Sequence, residues 1–339
     1  MADLSKVASQ RDDFLTERRK SFGGSDLAPF LIGLNAQECS YSSPMAVVAI
    51  KRGERNGVIE PNNDMLIGTA AEPAVIAIFE REYGKKVTQL PLTIRHQSHP
   101  HSHANVDGVI TEERDGVLYI THVFEAKTTG RMKEYLPDGY DLQVRHYMAV
   151  LSQFEELECG GQTYKIDLEG AIVFMLAFER GKPTRMFEVG YSPEDAQEIL
   201  DYEEFAWQHY VVEGEFCMPS GSSTDTEIIA ARYGYYVPET ITDRPDLVES
   251  VDLFVELSEQ IKDLTAQKES LKQEIQISLA GCSKATSGDF LIKNTEQRKS
   301  SFQKKKLMDE HPEFEAIIGK YTTESTSSRF EIVKKKEKK

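Results

Sequence analysis

Two carboxylates and an ammonium stand at a spacing that could do phosphodiester chemistry: Asp107, then Glu125 eighteen positions later, then Lys127. Carboxylate oxygens, with water and backbone carbonyls, ligate hard divalent cations such as Mg2+. Such a cation acidifies water and stabilises charge on a phosphodiester under attack, while a lysine orients or helps deprotonate the attacking water. Taken alone the pattern is weak, because charged strand residues near a hairpin commonly form a solvated face.

Other residue clusters compete for attention. Residues 99–108 read HPHSHANVDG, and with His96 they place four of the eight histidines within eight positions. A zinc cage needs three or four ligands converging tetrahedrally. In extended backbone His99, His101 and His103 share a face, but successive ones lie about 6.5–7 Å apart along the chain. That spacing argues against zinc and leaves the histidines a structural or rim role. FGGSD, residues 22–26, lacks both a preceding strand and the G-x-G-x-x-G pattern of a nucleotide fold. It can cap a helix or hold an anion at a helix N-terminus.

To meet at one spot, the acids need a hairpin. NVDGVITEE and VLYITHVFEAKTT flank Asp115-Gly116, a tight-turn signal between two β-rich runs. Period-2 alternation then puts Glu125 and Lys127 on one face and Ala126 on the other. Helices are expected at SSPMAVVAIKRG, at IGTAAEPAVIAIFEREYG with Pro73 bending its start or moving it to near Glu72, at DLQVRHYMAVLSQF, and from the S-P-E-D cap at 192–195. FLTERRKSFGGSDLAPFLIG reads as helix, glycine turn and second helix, with Ser25 and Asp26 as caps. GAIVFMLAF reads as a buried strand with TRMFEVGY as its hairpin partner. Residues 221–250 are turn-rich. Beyond them Leu253, Leu257, Ile261, Leu264, Leu271, Ile275 and Leu279 fall near heptad spacing, broken by Lys268, and predict a long helix packed on its own chain or a sister subunit. Trp207 and the tyrosines of 233–236 read as core or subunit contact.

Composition narrows the class. A 40% hydrophobic and 28% charged chain of 339 residues is that of an ordinary globular protein, without an apolar run of membrane-spanning length. The N-terminus shows no secretory pattern. Cys39, Cys159, Cys217 and Cys282 stand far apart with no C-x-x-C pair, which argues against a zinc ribbon or disulfide framework and for a reducing, cytoplasmic setting. The net charge of −16 counts against nucleic acid, yet residues 281–339 hold 14 Lys/Arg against 9 Asp/Glu. The final KKKEKK reads as a tail with non-specific affinity for DNA.

RRKSFGGSD, GTAAEPAVIAIFE, HPHSHANVDGVI, FEAKTTG and LQVRHYMAV occur in the order and spacing of the YqaJ-like phage recombinases, which are similar to lambda exonuclease and belong to the PD-(D/E)xK nucleases. The tail from 298 onward also resembles longer members, so the likeness spans nearly the whole chain. It implies an α/β, restriction-endonuclease-like core with a central mixed sheet flanked by helices. By the same resemblance Asp107 and Glu125 are metal-binding acids, the Ala126 carbonyl a further ligand, Lys127 the catalytic lysine, Glu72 an extra acid and Gln143 the glutamine that orients the site. Arg18 and Ser25 match the pair that grips a 5′-phosphate. Asn105 stands where another phosphate contact occurs, Arg145 where a second glutamine is frequent, and Tyr147 nearby as a candidate DNA contact. Val106 replaces the motif's proline.

The resemblance further implies Mg2+ with Mn2+ as substitute, two ions per site, and 5′→3′ digestion of linear duplex DNA in a bacterial host by a phage- or prophage-encoded protein. It also implies a ring-shaped homotrimer and a single-strand annealing partner of the Redβ or RecT type. The expected domains are a nuclease core at 1–220, a linker at 221–250, a long helix at 251–281 and a small module at 282–339. A structure-selective or restriction-like endonuclease on the same core and a non-catalytic DNA-end-binding assembly module are the alternatives. An iron–sulfur nuclease is disfavoured by the scattered cysteines.

Overall fold

The computed structural model describes residues 19–31, 42–57, 62–178, 181, 184–234, 243–295 and, further on, 303, 307, 309–314, 317 and 320. Two compact units divide the chain, Met1–Tyr233 and Gly234–Lys339.

The first unit is built on a six-stranded mixed sheet. Its strands are β1 (Val87–Thr88), β4 (Gly108–Arg114), β5 (Val117–Thr129), β6 (Glu156–Cys159), β7 (Gln162–Ala177) and β8 (Arg185–Gly190), while β2 (Ile94–Arg95) and β3 (His103–Ala104) pair separately. The order is β1-β4-β5-β7-β6, with β8 also pairing β7. Only β5 and β7 run parallel; the other pairs are antiparallel. The expected β4–β5 hairpin forms, with Asp115 at φ 51° and Gly116 at φ 78°. Both signs are those a two-residue turn matching strand twist requires. The expected partnership of GAIVFMLAF with TRMFEVGY is the β7–β8 pair.

Helices cover both faces, as α/β layering demands. Helix α4 (Asp138–Leu151) lays Val144, Tyr147 and Met148 against Val109, Val123, Val173 and Met175. Helix α3 (Asn63–Tyr83) lays Val75 and Phe79 on the other face, against Ile110, Phe124, Ile172 and Phe174. Sequence expectation had Pro73 either bending the first turn of α3 or moving its start to near Glu72. The helix instead begins at Asn63, where the Asn62 side chain accepts from Met65 N, and it runs through Pro73. Proline removes only the bond to the carbonyl four residues back. That carbonyl belongs to the exposed Thr69, where water can satisfy it.

A third group of elements packs at one end: α1 (Gly24–Leu27), α2 (Pro44–Lys51), α5 (Pro193–Ala206) and α6 (Ser223–Tyr233). Phe22, Leu27, Val47 and Ala206 form one cluster, with Trp207 against it; Met45, Ala49, Cys217 and Ile228 form a second. Helix α6 corrects the expected linker at 221–250, since its Ile228 is buried against α2 and Asp225 accepts from Ser43 and Ser220. Turn-forming residues at 219–222 end one segment and cap the next helix instead of opening a linker. Ser192 caps α5 as the S-P-E-D sequence suggests, and Ser43 caps α2. Ser25 and Asp26 do not cap α1 in the expected way: Gly23 is the N-cap, and Asp26 reaches back to accept from its N–H at 3.0 Å.

The second unit holds α7 (Val248–Leu279) and the hairpin of β9 (Lys284–Ser287) and β10 (Phe290–Lys293). The expected strand at SSRFEIVKK and the basic tail lie outside the described residues, as do Tyr235 and Tyr236. No described helix is long and apolar enough to cross a membrane.

Candidate active site

Asp107 immediately precedes β4, and its Oδ2 accepts from Ala126 N of β5 at 2.9 Å. That bond fixes one acid of the site to the strand carrying the other. Gly108 follows because a Cβ there would stand 2.5 Å from Val87 Cγ1, so β1 could not pair so closely with β4. On β5 a bulge at Thr121 resets the alternation: Ile110 pairs with His122, but Thr111 pairs with Ile120. Ile120 and Val123 consequently share the face toward α4, and Glu125 and Lys127 continue that face. Ala126 points to the α3 side, against Phe79's cluster.

The acids and the lysine form a tight group. Lys127 Nζ donates to Glu125 Oε1 at 2.6 Å and to Gln143 Oε1 at 3.2 Å, and lies 4.7 Å from the Tyr140 ring centroid. Gln143 Nε2 donates to Glu125 Oε1 at 2.9 Å and to the Tyr147 hydroxyl at 2.8 Å. Gln143 and Tyr147 sit four apart on α4 and so face the same way. Glu125 Oε2 is buried and receives no donor.

Burial pushes the Glu125 carboxyl up to about 7; Lys127 opposes that shift, and Asp107 and Glu72 add to it. Burial likewise raises Asp107, against the Ala126 N–H and Lys127. Burial also raises Glu72, with Asp107 adding to it. For Lys127 burial works downward, but attraction from Glu125 and Asp107 outweighs it and the ammonium is favoured. Three acids that burial makes resist ionisation, with one buried oxygen left bare, fit a missing positive charge.

These residues line a groove of about 690 Å³, shared with Ser25, Glu72, Thr128, Arg131 and Lys133. Glu72 accepts from Gln89 Nε2 at 3.3 Å. Among the described residues, ligand atoms of Glu72, Asp107 and Glu125 do not all lie within 4.8 Å of one another. Ser25 is exposed at the groove, and Arg18 lies outside the described residues.

Three residues expected as DNA contacts have partners within the chain. Asn105 is not among the groove-lining residues, and its Oδ1 accepts from Thr93 Oγ1 at 2.7 Å. Arg145 faces away on α4, bonded to Asp141 at 2.7 Å and Asp195 at 2.6 Å, beside a separate pocket with Leu27, Phe30 and Tyr202. Helical geometry separates it from Gln143 by two positions, which never share a face. Tyr147 is 6% exposed and supports Gln143 from behind.

The histidines are scaffold. His103 is buried and neutral, its pKa lowered to about 3 by burial and then by His146. Arg95 donates to Ser21 Oγ at 3.0 Å, and Ser21 Oγ lies 2.9 Å from His103 Nδ1. Phe22 N donates to the His101 carbonyl and His103 N to the Phe22 carbonyl. His101 stacks on Trp207 at 4.2 Å, and His96 Nδ1 accepts from His99 N. The stretch thus holds the FGGSD turn. A Cβ on Gly23 would stand 2.9 Å from His103 Nε2; one on Gly24 would stand 2.8 Å from Tyr147 and 2.9 Å from the Gln143 carbonyl. Lys51 Nζ, 2.6 Å from Asp26 Oδ2, locks the turn from below. The two glycines permit close packing that seats Ser25 over the groove. Tyr140, Gln89 and the Lys51–Asp26 pair were missed in the sequence, where nothing in their spacing signals a distant partner.

A mixed sheet between two helices, with paired acids, lysine and glutamine at its strand ends, defines the chain's first unit as a PD-(D/E)xK-type α/β core. Residues 13–155 match the family model of the YqaJ-like viral recombinase domain. The match covers the part of the chain that carries the motifs by which the sequence resembles that family. The curated protein YqaJ of Bacillus subtilis (strain 168), described as uncharacterized, is 26% identical over 323 residues, covering 92% of each chain. The alkaline exonuclease LHK-Exo from Laribacter hongkongensis shows 18% identity, with 65% of this chain and 96% of that one covered and a TM-score of 0.38. A phage related exonuclease from Haemophilus somnus 129PT shows 11% identity, 57% and 96% coverage, and a TM-score of 0.37.

Proposed function

We propose that the chain is a Mg2+-dependent exonuclease that digests one strand of linear duplex DNA from its 5′-phosphorylated end, leaving a 3′ single strand for recombination. The observation that carries the metal reading is the bare, buried Glu125 Oε2 beside Asp107. Polarity and end preference rest on the family resemblance. Ser25 at the same groove supports them. A ring-shaped trimer and a single-strand annealing partner belong to the proposal on the same resemblance.

Asp107, Glu125 and the Ala126 carbonyl would hold the cation, with Glu72 as the extra acid. When bound, Mg2+ supplies Lewis acidity: it makes water a stronger acid and stabilises charge on a phosphodiester under attack. The chain's residues supply the rest. Lys127, kept as an ammonium by Glu125, orients water and offsets developing negative charge. Gln143 holds Lys127 and Glu125 at once, so neither drifts from the other. Arg131 and Lys133 give the groove the positive charge that a phosphate backbone needs within an otherwise acidic chain.

A four-way digest in Mg2+ tests this: linear or closed circular duplex, 5′-phosphate or 5′-hydroxyl ends. Degradation confined to linear DNA and faster from 5′-phosphate is expected. Cutting of circles regardless of end group indicates an endonuclease on the same core. Asp107→Asn and Lys127→Ala should each abolish turnover; if both leave it unchanged, the chemistry lies elsewhere.

A further inference from the structure

Helix α7 runs 32 residues, about 48 Å at 1.5 Å per residue, with its apolar side chains in water. Leu253, Leu257, Ile261, Leu264, Leu271 and Ile275 are each 46–64% exposed. A helix of this kind draws most of its stability from packing an apolar face. Their order is more regular than a general amphipathic stripe. Positions 254, 257, 261, 264, 268, 271, 275 and 278 alternate steps of three and four without a break. In heptad terms Ile261 and Ile275 stand at a, Leu257, Leu264 and Leu271 at d, and Lys268 alone is a charged residue in the seam.

We propose that the occupant of this seam is α7 of a second copy, in a two-stranded coiled coil. Isoleucine at a with leucine at d favours two strands, and one lysine at an a position costs stability while restricting register and oligomer number. The flanking positions argue for self-pairing. Partner choice is ordinarily set by opposite charges at e and g. Here g holds Leu253, Gln260, Gln267 and Glu274, and e holds Ser258, Thr265, Lys272 and Leu279, so no charge code selects a different chain. The remaining charges, such as Glu256, Lys262, Asp263 and Glu269, fall on the outer face. At about 100 Å² of apolar surface per exposed Leu or Ile, five seam residues on each helix cover about 1,000 Å² between two copies, the size at which specific association begins. The pairing is independent of the nuclease reading, and it would join two assemblies of whatever order the first unit forms.

Light scattering on the full-length chain tests it. Wild type should have twice the mass of Leu264→Asp at the same concentration, either as dimer against monomer or as hexamer against trimer. Lys268→Ile should act oppositely, lowering the concentration at which half the pairs dissociate by at least about tenfold. Equal masses for wild type and Leu264→Asp, a threefold difference, or a Lys268→Ile chain that associates no more tightly would each overturn the two-stranded seam. The lysine variant guards against a Leu264→Asp helix that merely unfolds, because its expected change is a gain.

Discussion

Protons and cation should compete for Glu125, and the competition can be measured. With its carboxyl near 7 in the folded chain and 4.5 as the ordinary value, Glu125 binds its proton more tightly folded than unfolded. In the metal-free protein its stabilising contribution is therefore present below about pH 4.5 and lost as pH rises through about 7. Above that, the fold contains a buried ionised acid at a cost of about 3 kcal/mol, because raising a carboxyl by about one pH unit is worth about 1.4 kcal/mol. Mg2+ requires the ionised form, so on the proposed reading it would bind where the metal-free fold is least comfortable.

The magnitude follows from one titrating group. A group of pKa about 7 is about nine-tenths ionised at about pH 8 and about one-tenth at about pH 6, so the Kd for Mg2+ should rise about tenfold between them. Asp107 and Glu72, both raised by burial, make any further slope steeper in the same direction. Isothermal titration calorimetry in buffers of different ionisation enthalpy reads both quantities. About one proton should leave per ion bound near pH 6 and almost none near pH 8. Glu125→Gln should remove the proton release along with most of the affinity. A Kd that stays level across this range, or binding without proton release near pH 6, refutes the reasoning.

Three further outcomes follow from the packing. Tyr147→Phe removes the hydroxyl that accepts from Gln143; kcat should fall about 3–10-fold, the worth of one hydrogen bond, with KM for DNA unchanged. A raised KM at constant kcat would speak for Tyr147 as a DNA contact. Gly24→Ala places a methyl 2.9 Å from the Gln143 carbonyl, so thermal unfolding should show a loss of about 1–3 kcal/mol, and an unchanged melting temperature would mean the turn can yield. Glu203, fully buried, faces His146 Nδ1 at 2.9 Å and accepts from Ser102; Glu203→Ala should cost about 3–5 kcal/mol in a urea titration, by stranding both partners. A loss below about 1 kcal/mol would show that water replaces the carboxylate.

What the sequence exposed and what it hid divide along the range of the interaction. The Asp115-Gly116 turn and the helix cap at Ser192 depend on a few adjacent residues, and their types announce them. Glu125 and Lys127 share a face by strand geometry, so their meeting was legible once the hairpin was drawn. The Thr121 bulge was not, because threonine is at home in any strand and the extra residue is specified by pairing with both β4 and β7. Gln143 entered only through the family resemblance; no local pattern marks a glutamine eighteen residues downstream as the partner of Glu125. Arg145 illustrates the converse. The family resemblance offered it a DNA contact, while Asp141 and Asp195, the latter fifty residues away, bind its guanidinium on the other side of α4.

The histidine run and the glycine turn make the same point in one place. Each looked like a ligand site of its own, nitrogen ligands in one and a phosphate loop in the other. They are two halves of one joint, Phe22 bridged to Ser102 across eighty positions, with His103 under Gly23 and Tyr147 under Gly24. His146 closes the joint by bonding the His103 carbonyl through Nε2 at 2.8 Å. A carbonyl only accepts, so Nε2 carries a proton, while the Glu203 carboxylate lies 2.9 Å from Nδ1 without forming a hydrogen bond to it. That agrees with the raised pKa of His146, where burial works downward but Glu203 prevails. The joint is therefore held by buried charge as well as by packing, beneath the turn that carries Ser25. Residues with the chemistry of ligands serve here to hold the turn that brings Ser25 to the groove lined by Asp107, Glu125 and Lys127.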